Sequence, residues 1–221
     1  MTTNKKRVAP ATQDATQSAD EMRNGEKVCS SYTFLQSINK RGLEIEVKIK
    51  IGNISIEDTR EKIIDNNFRS IVPRAFEQNI VFDTPEKKLK TSNFLLRLRK
   101  KGDKSIVTFK RPVKKSLSTT HYKIREETEV EVLDFEEMRK IFMGLGYEPV
   151  FIYEKYREVF QKGDVRLMVD ETPIGNFIEI EGPEEAIDRT AQELGHSKND
   201  YIIDNYRTLF RKAGRTGHMQ F

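Results

Sequence analysis

The chain of 221 residues contains no tryptophan and a single cysteine, Cys29. One thiol cannot build an internal disulfide framework, and so sparing a use of cysteine fits a reducing compartment, so a cytoplasmic location is expected. No apolar run approaches the roughly 20 residues that span a bilayer, and the N-terminus lacks the apolar core of a secretion signal; no membrane partner is expected. The three histidines, His121, His196 and His218, lack metal-ligand spacing, which argues against zinc. Charge of one sign is not in large excess either. There are 39 basic and 35 acidic residues, for a net charge of +4, and the two signs interleave instead of forming a basic block with aromatic neighbours. That pattern argues against nucleic acid as a partner.

What the chain has is alternation. In LEIEVKIKI, Leu43, Ile45, Val47, Ile49 and Ile51 fall on one parity and Glu44, Glu46, Lys48 and Lys50 on the other. This is the signature of a strand with one apolar and one charged face. Eight stretches qualify as strands: Leu43–Ile51, Gln78–Asp83, Phe94–Lys100, Ser105–Arg111, His121–Val132, Val150–Gln161, Asp164–Asp170 and Asn176–Glu181. The turns KKGDK and QKGD join two pairs as hairpins. Four helices interrupt them. One follows Ser55 as N-cap, one runs from Asp134 to the Gly144–Gly146 stop, one lies between Pro183 and Gly195, and one spans about Asn199 to Ala213. Residues 1–40 read as a disordered tail, 42–213 as one α+β domain and 214–221 as a C-terminal tail. Eight mostly antiparallel strands in one domain suggest closure into a barrel.

The charged parity repeats from strand to strand. Arg97 and Arg99 share a face; so do Arg125, Glu127, Glu129 and Glu131, then Lys155 and Arg157, Arg166 and Asp170, Glu179 and Glu181. Lys110 closes SIVTFK. Tyr122, Tyr153, Tyr156 and Phe160 read as strand packing. Two arrangements satisfy the pattern. One is a layered sheet with its charges in water. The other is a barrel whose apolar outside supports the helices, so that the charges look inward. Buried charges must be paired or bind something. Clustered Arg and Lys suit an oligophosphate, and paired carboxylates suit a divalent cation bridging to it.

Glu44-x-Glu46-x-Lys48 matches the ExExK signature of the CYTH superfamily, the triphosphate tunnel metalloenzymes. It is followed in the family's order by VFDTP (Val81 to Pro85), LLRLR (Leu95 to Arg99), TFK ending at Lys110, RxE at Arg125 and Glu127, KYR ending at Arg157, a strand ending in Asp170, GNFIEIEG from Gly175 and the closing YRTLF. Over roughly residues 42 to 213 the chain therefore resembles this family. The resemblance implies an eight-stranded antiparallel β-barrel forming a tunnel with a charged lumen. It further implies Mg²⁺ or Mn²⁺ held by Glu44, Glu46, Glu179 and Glu181, with Asp170 and Glu127 completing the acidic shell or orienting a water. Lys48, Arg97, Arg99, Lys110, Arg125, Lys155 and Arg157 would bind the triphosphate, and Lys48, Glu127 and Asp170 would act in catalysis. Arg166 ranks lower, and Glu129 shares the parity of Glu127 and could take its place. Asp204 and Asn205 precede Tyr206 where the family often has a lysine or serine, a departure that bears on any basic contact from that helix. The implied activity is hydrolysis of inorganic triphosphate, a nucleoside triphosphate such as ATP, or thiamine triphosphate. A class IV adenylyl cyclase is the alternative, and a noncatalytic polyphosphate-binding module is a third reading. Oligomeric state is not legible.

Overall fold

The computed structural model describes residues 42–52, 54–113 and 121–221; the N-terminal tail, with Cys29, lies outside the described residues. Each alternating stretch forms a strand. These are β1 (Leu43–Lys50), β2 (Arg69–Asp83), β3 (Leu95–Lys101), β4 (Lys104–Pro112), β5 (Lys123–Val132), β6 (Glu148–Lys162), β7 (Val165–Thr172) and β8 (Gly175–Glu181). They close in the order β1-β5-β4-β3-β2-β6-β7-β8, every neighbour antiparallel. Two of the hairpin turns place Gly102 and Gly163 at φ +54° and +56°, a region that costs glycine nothing. Strand β2 starts nine residues earlier than its alternation suggests. Its first half, with Pro73, is mostly exposed and slips register against β6 between Ser70 and Ala75. A proline is tolerated at such an irregular place.

The helices are α1 (Ile56–Asp65), α2 (Lys88–Thr91), α3 (Phe135–Gly144), α4 (Glu184–Glu193) and α5 (Tyr206–Lys212). Ser55 caps α1 by accepting from the Asp58 amide at 3.0 Å, and Asp134 caps α3 through the Glu137 amide at 2.9 Å. The outer faces of β1, β7 and β8 bury Val47, Ile49, Leu167, Val169, Ile178 and Ile180 against Ile63 of α1 and Ile187 of α4. Ile80, Phe82, Leu96 and Leu98 do the same beneath Phe135 and Phe142 of α3. Helices thus occupy the apolar outside, and the charged parity is left to the lumen.

The last helix departs from expectation. It does not run from Asn199; a 3₁₀ turn at Lys198–Asp200 is followed by extended chain, and α5 begins only after Asn205, whose side chain accepts from the Thr208 amide at 2.9 Å. The extended part has work elsewhere. Strand β1 pairs with β5 only through Glu46, and beyond that point Lys48 exchanges backbone hydrogen bonds with Ile202, 3.0 and 2.7 Å. Residues 214–221 likewise run against the wall. Strands β6 and β7 pair only from Tyr156 onward, and the edge left at Ile152–Glu154 takes Met219, which is fully buried, through bonds of 2.9 and 2.8 Å. Tyr206 and Phe210 of α5 pack on Phe151, Tyr153 and Phe177, which share the inward parity, so α5 fills one mouth of the barrel.

Candidate functional site: a tunnel of matched charges

Period-two geometry places Glu44, Glu46 and Lys48 of β1 inside the barrel, together with Arg97 and Arg99 of β3, Lys110 of β4, Arg125, Glu127 and Glu129 of β5, Lys155 and Arg157 of β6, Asp170 of β7, and Glu179 and Glu181 of β8. All except Asp170 line one cavity of about 750 Å³; Asp170 lies behind it and is fully buried. Charged side chains at this depth need partners, and the register supplies them.

Three groups of contacts divide the lumen. In the first, Asp170 accepts from Lys155 at 2.9 Å, from Arg157 at 2.6 and 2.5 Å and from the Tyr206 hydroxyl at 2.6 Å. Arg157 reaches on to Glu179, which also holds Lys48 at 2.9 Å. Burial opposes ionisation of Glu179, but Arg157, Lys48 and Lys155 outweigh it and keep the carboxyl well below its usual range. In the second, Glu129 accepts from Thr108 at 2.6 Å, Arg99 at 3.1 Å and Arg97 at 3.4 Å, while Arg97 also donates to the Tyr153 hydroxyl at 3.1 Å. Against burial, the two guanidinium groups hold Glu129 at about 2. In the third, Lys110 contacts Glu44 at 2.5 Å and Glu127 at 3.1 Å, and Lys123 is paired with Glu46.

This third group is the acidic end. Burial raises Glu44 to about 7, more than Lys110 lowers it, and the charges of Glu46 and Glu127 add to the rise. Glu181 also stands at about 7, from burial and then from Glu44; Arg166, 3.9 Å away, offsets only part of that. Glu46 differs. Burial would raise it, but Lys123, with help from Lys110 and Lys48, brings it down to about 2. Glu44, Glu46, Glu127 and Glu181 therefore form an oxygen-only set whose members repel one another, and that chemistry fits a hard divalent cation. Among the described residues no three acidic, histidine or cysteine side chains stand together at metal-ligand spacing; Lys110 lies between Glu44 and Glu127, and Lys123 is paired with Glu46.

Several lumen residues escaped the sequence reading. Glu77 of β2, 1% exposed, lies 3.3 Å from Lys101 and 3.9 Å from Lys155; burial opposes its charge, but Arg99, Lys155, Arg157 and Lys101 hold it at about 2. Lys101 shares the parity of Arg97 and Arg99, and Lys123 that of Arg125, so the alternation could have found both. Glu77 needed the longer β2. Tyr153, read as strand packing, turns its hydroxyl to Arg97. Tyr206 reaches Asp170 from outside the barrel sequence, and no periodicity signals that. Three expected roles are met by different surroundings. Glu179, expected among the metal ligands, is held by Arg157 and Lys48. The oxygens of Asp170 are taken by Lys155, Arg157 and Tyr206, away from the Glu44–Glu46–Glu181 set. The guanidinium of Arg125 donates to the Asn93 carbonyl at 2.6 Å and the Lys110 carbonyl at 3.2 Å, clasping the wall at one mouth.

An eight-stranded antiparallel tunnel barrel with a charge-lined lumen is the class defined by these features. The chain belongs to the CYTH domain family, whose model matches residues 42–206. It is 30% identical over 143 residues to a Methanocaldococcus jannaschii protein named as a putative adenylate cyclase, covering 63% of this chain and 76% of that one. A Vibrio parahaemolyticus structure, also described as a putative adenylate cyclase, superposes with a TM-score of 0.67 at 17% identity over 76% of this chain and 98% of its own. A Hippeastrum protein, described as a putative adenylyl cyclase with a dominant triphosphatase activity, has a TM-score of 0.52 at 17% identity, over 78% and 97% of the two chains. Among the described residues, no helix is long and apolar enough to cross a membrane.

Proposed function

We propose that the protein is a metal-dependent triphosphatase, cleaving a phosphoanhydride of inorganic triphosphate, a nucleoside triphosphate or thiamine triphosphate inside the tunnel. The observation that carries this reading is the set of buried and partly buried cations lining one cavity, Lys48, Arg97, Arg99, Lys110, Lys155 and Arg157, each already held in place by a lumen carboxylate. Phosphoryl transfer depends mainly on positioning and on neutralising charge over the phosphoryl oxygens. Guanidinium and ammonium groups fixed by Glu129, Asp170 and Glu179 need little reorganisation to meet a polyanion, and the low dielectric of the lumen strengthens each contact.

Arg97 and Arg99 present planar forks suited to phosphate oxygens, while Lys48, Lys155 and Arg157 neutralise another stretch of the same chain of phosphates. In this reading Glu127, 3.1 Å from Lys110, accepts a proton from an attacking water. Asp170 and Tyr206 position Arg157 and Lys155. Mg²⁺ or Mn²⁺ held by Glu44, Glu46 and Glu181 would supply further charge neutralisation at the phosphate oxygens.

The cyclase reading is kept as second because the 30% identical relative carries that name. It uses the same cations, but its nucleophile is a ribose hydroxyl attacking the α-phosphate, with pyrophosphate leaving. Incubation with triphosphate, ATP and thiamine triphosphate in Mg²⁺ or Mn²⁺, followed by product chromatography, separates the two. Orthophosphate supports hydrolysis; cyclic AMP with pyrophosphate overturns it.

A further inference from the structure

The acidic end of the tunnel carries two lysines that differ in how firmly they are held. Lys110 is shared between Glu44 and Glu127 and its side chain is 11% exposed. Lys123 contacts Glu46 alone, is 21% exposed, and occupies the first position of β5, directly opposite Glu46 in the register. Its backbone is pinned beside Glu46 while its ammonium can swing toward water at a smaller desolvation loss. The other charged groups facing Glu46 are Glu179 and Glu181 from β8, Lys110 from β4, Arg125 from β5, and Glu44 and Lys48 from its own strand. None of them makes an ion pair with Glu46, so Lys123 is the one cation among the described residues in direct contact with that carboxylate.

We propose that Lys123 is a tethered counter-ion that competes with a divalent cation for Glu46, and so sets the affinity of the acidic site. This rests on the reading of Glu44, Glu46 and Glu181 as a metal-holding set. An ammonium and a divalent cation cannot both take the same carboxylate oxygen at close range. Binding of the second therefore includes the work of breaking the Lys123–Glu46 pair. A cation that wins the exchange also turns a positive charge loose at the edge of the tunnel, where a phosphate oxygen is the natural new partner. Without Lys123, Glu46 would be a buried carboxylate lacking a direct partner, a costly arrangement that a divalent cation relieves.

The test is Mn²⁺ binding by the full-length protein, with free Mn²⁺ read by electron paramagnetic resonance and no substrate present. Lys123→Met removes the charge at similar length, Lys123→Arg keeps it, and Glu46→Gln removes a carboxylate oxygen charge. Tighter binding by roughly tenfold or more in Lys123→Met, with Lys123→Arg near wild type and Glu46→Gln weakened, is the expected result. The melting temperature of Lys123→Met should fall below wild type without Mn²⁺ and rise by more on adding it. Unchanged or weaker Mn²⁺ affinity in a folded Lys123→Met, while Glu46→Gln still loses binding, overturns the competition and leaves the metal site standing. Absence of saturable Mn²⁺ binding in wild type, unaltered by Glu46→Gln, overturns the metal reading itself. Lys123→Gln, smaller and polar, serves the same comparison should the methionine variant fail to fold.

Discussion

Asp170→Asn is the substitution that most directly probes the Lys155–Arg157 part of the lumen. The carboxylate is fully buried and receives Lys155, two nitrogens of Arg157 and the Tyr206 hydroxyl. The amide keeps the shape but removes the charge, and its NH₂ points donors at donors. Breaking a buried ion pair by neutralising one member costs about 3–5 kcal/mol, because the other member stays buried and uncompensated. Two cations share this loss, although Glu179 and Glu77 still face them, so the middle of that range is expected. For a domain of this size each kcal/mol moves Tm by about 2–4 °C, giving a fall of roughly 8–16 °C by calorimetry. Tripolyphosphate offers the released cations a new partner. At a concentration one hundred times its Kd, a ligand adds about 2.7 kcal/mol, and the gain should be larger in Asp170→Asn than in wild type. Tyr206→Phe removes one hydrogen bond to a charged group and should cost about 1.5–3 kcal/mol. A variant Asp170→Asn within about 1 kcal/mol of wild type, showing no extra response to tripolyphosphate, would refute the view that this carboxylate holds the cations in place.

Arg97→Ala should weaken tripolyphosphate binding by about 2–5 kcal/mol in calorimetric titration, without rescue by added metal, since it removes a desolvated cation. Glu46→Gln should instead shift the metal dependence of turnover, with partial recovery at high Mg²⁺ or Mn²⁺; identical metal titrations in wild type and variant would remove Glu46 from the metal set. Glu77 supplies a pH test. Its folded value of about 2 lies below the ordinary carboxylate range, so its stabilisation is fully present above about pH 4.5 and is lost as pH falls toward 2. Urea melts from pH 5 to pH 2 should show a steeper loss for wild type than for Glu77→Gln, by up to about 3 kcal/mol. Ser55→Ala, which deletes the α1 cap, should cost about 1 kcal/mol and leave substrate binding unchanged.

Much of this molecule is legible in its alternation. Period two gives eight strands and, once helices claim the apolar face, the inward parity of Glu44, Arg97, Lys155 and Glu179. Partners across the lumen are not legible, because they depend on register. Nothing in the local sequence says that Lys123 meets Glu46 or that Arg157 bridges Asp170 and Glu179. The first half of β2 hides because RSIVPRAFE combines a proline with mostly exposed positions, so no apolar face marks it. The beginning of the last helix misleads for another reason. Tyr201 and Ile202 stand at helical spacing from Tyr206, Leu209 and Phe210, yet Ile202 gains more by pairing with the free edge of β1 than by extending α5, a tertiary demand that outweighs local propensity. Met219 likewise reads as the end of a tail until the edge it covers is known.

The closed order β1-β5-β4-β3-β2-β6-β7-β8 has a consequence for the nascent chain. Strands β2 to β5 can zip as they emerge, each on its predecessor. Strand β1 cannot, since its partners are β5 and β8: one edge must wait until β5 is made and the other until β8. An unpaired strand of alternating apolar residues is a template for association with other chains. Here every second position carries charge: Glu44, Glu46, Lys48 and Lys50. In the folded protein three of these serve the lumen. On the ribosome the same four would act as gatekeepers, opposing intermolecular pairing until the wall closes around them.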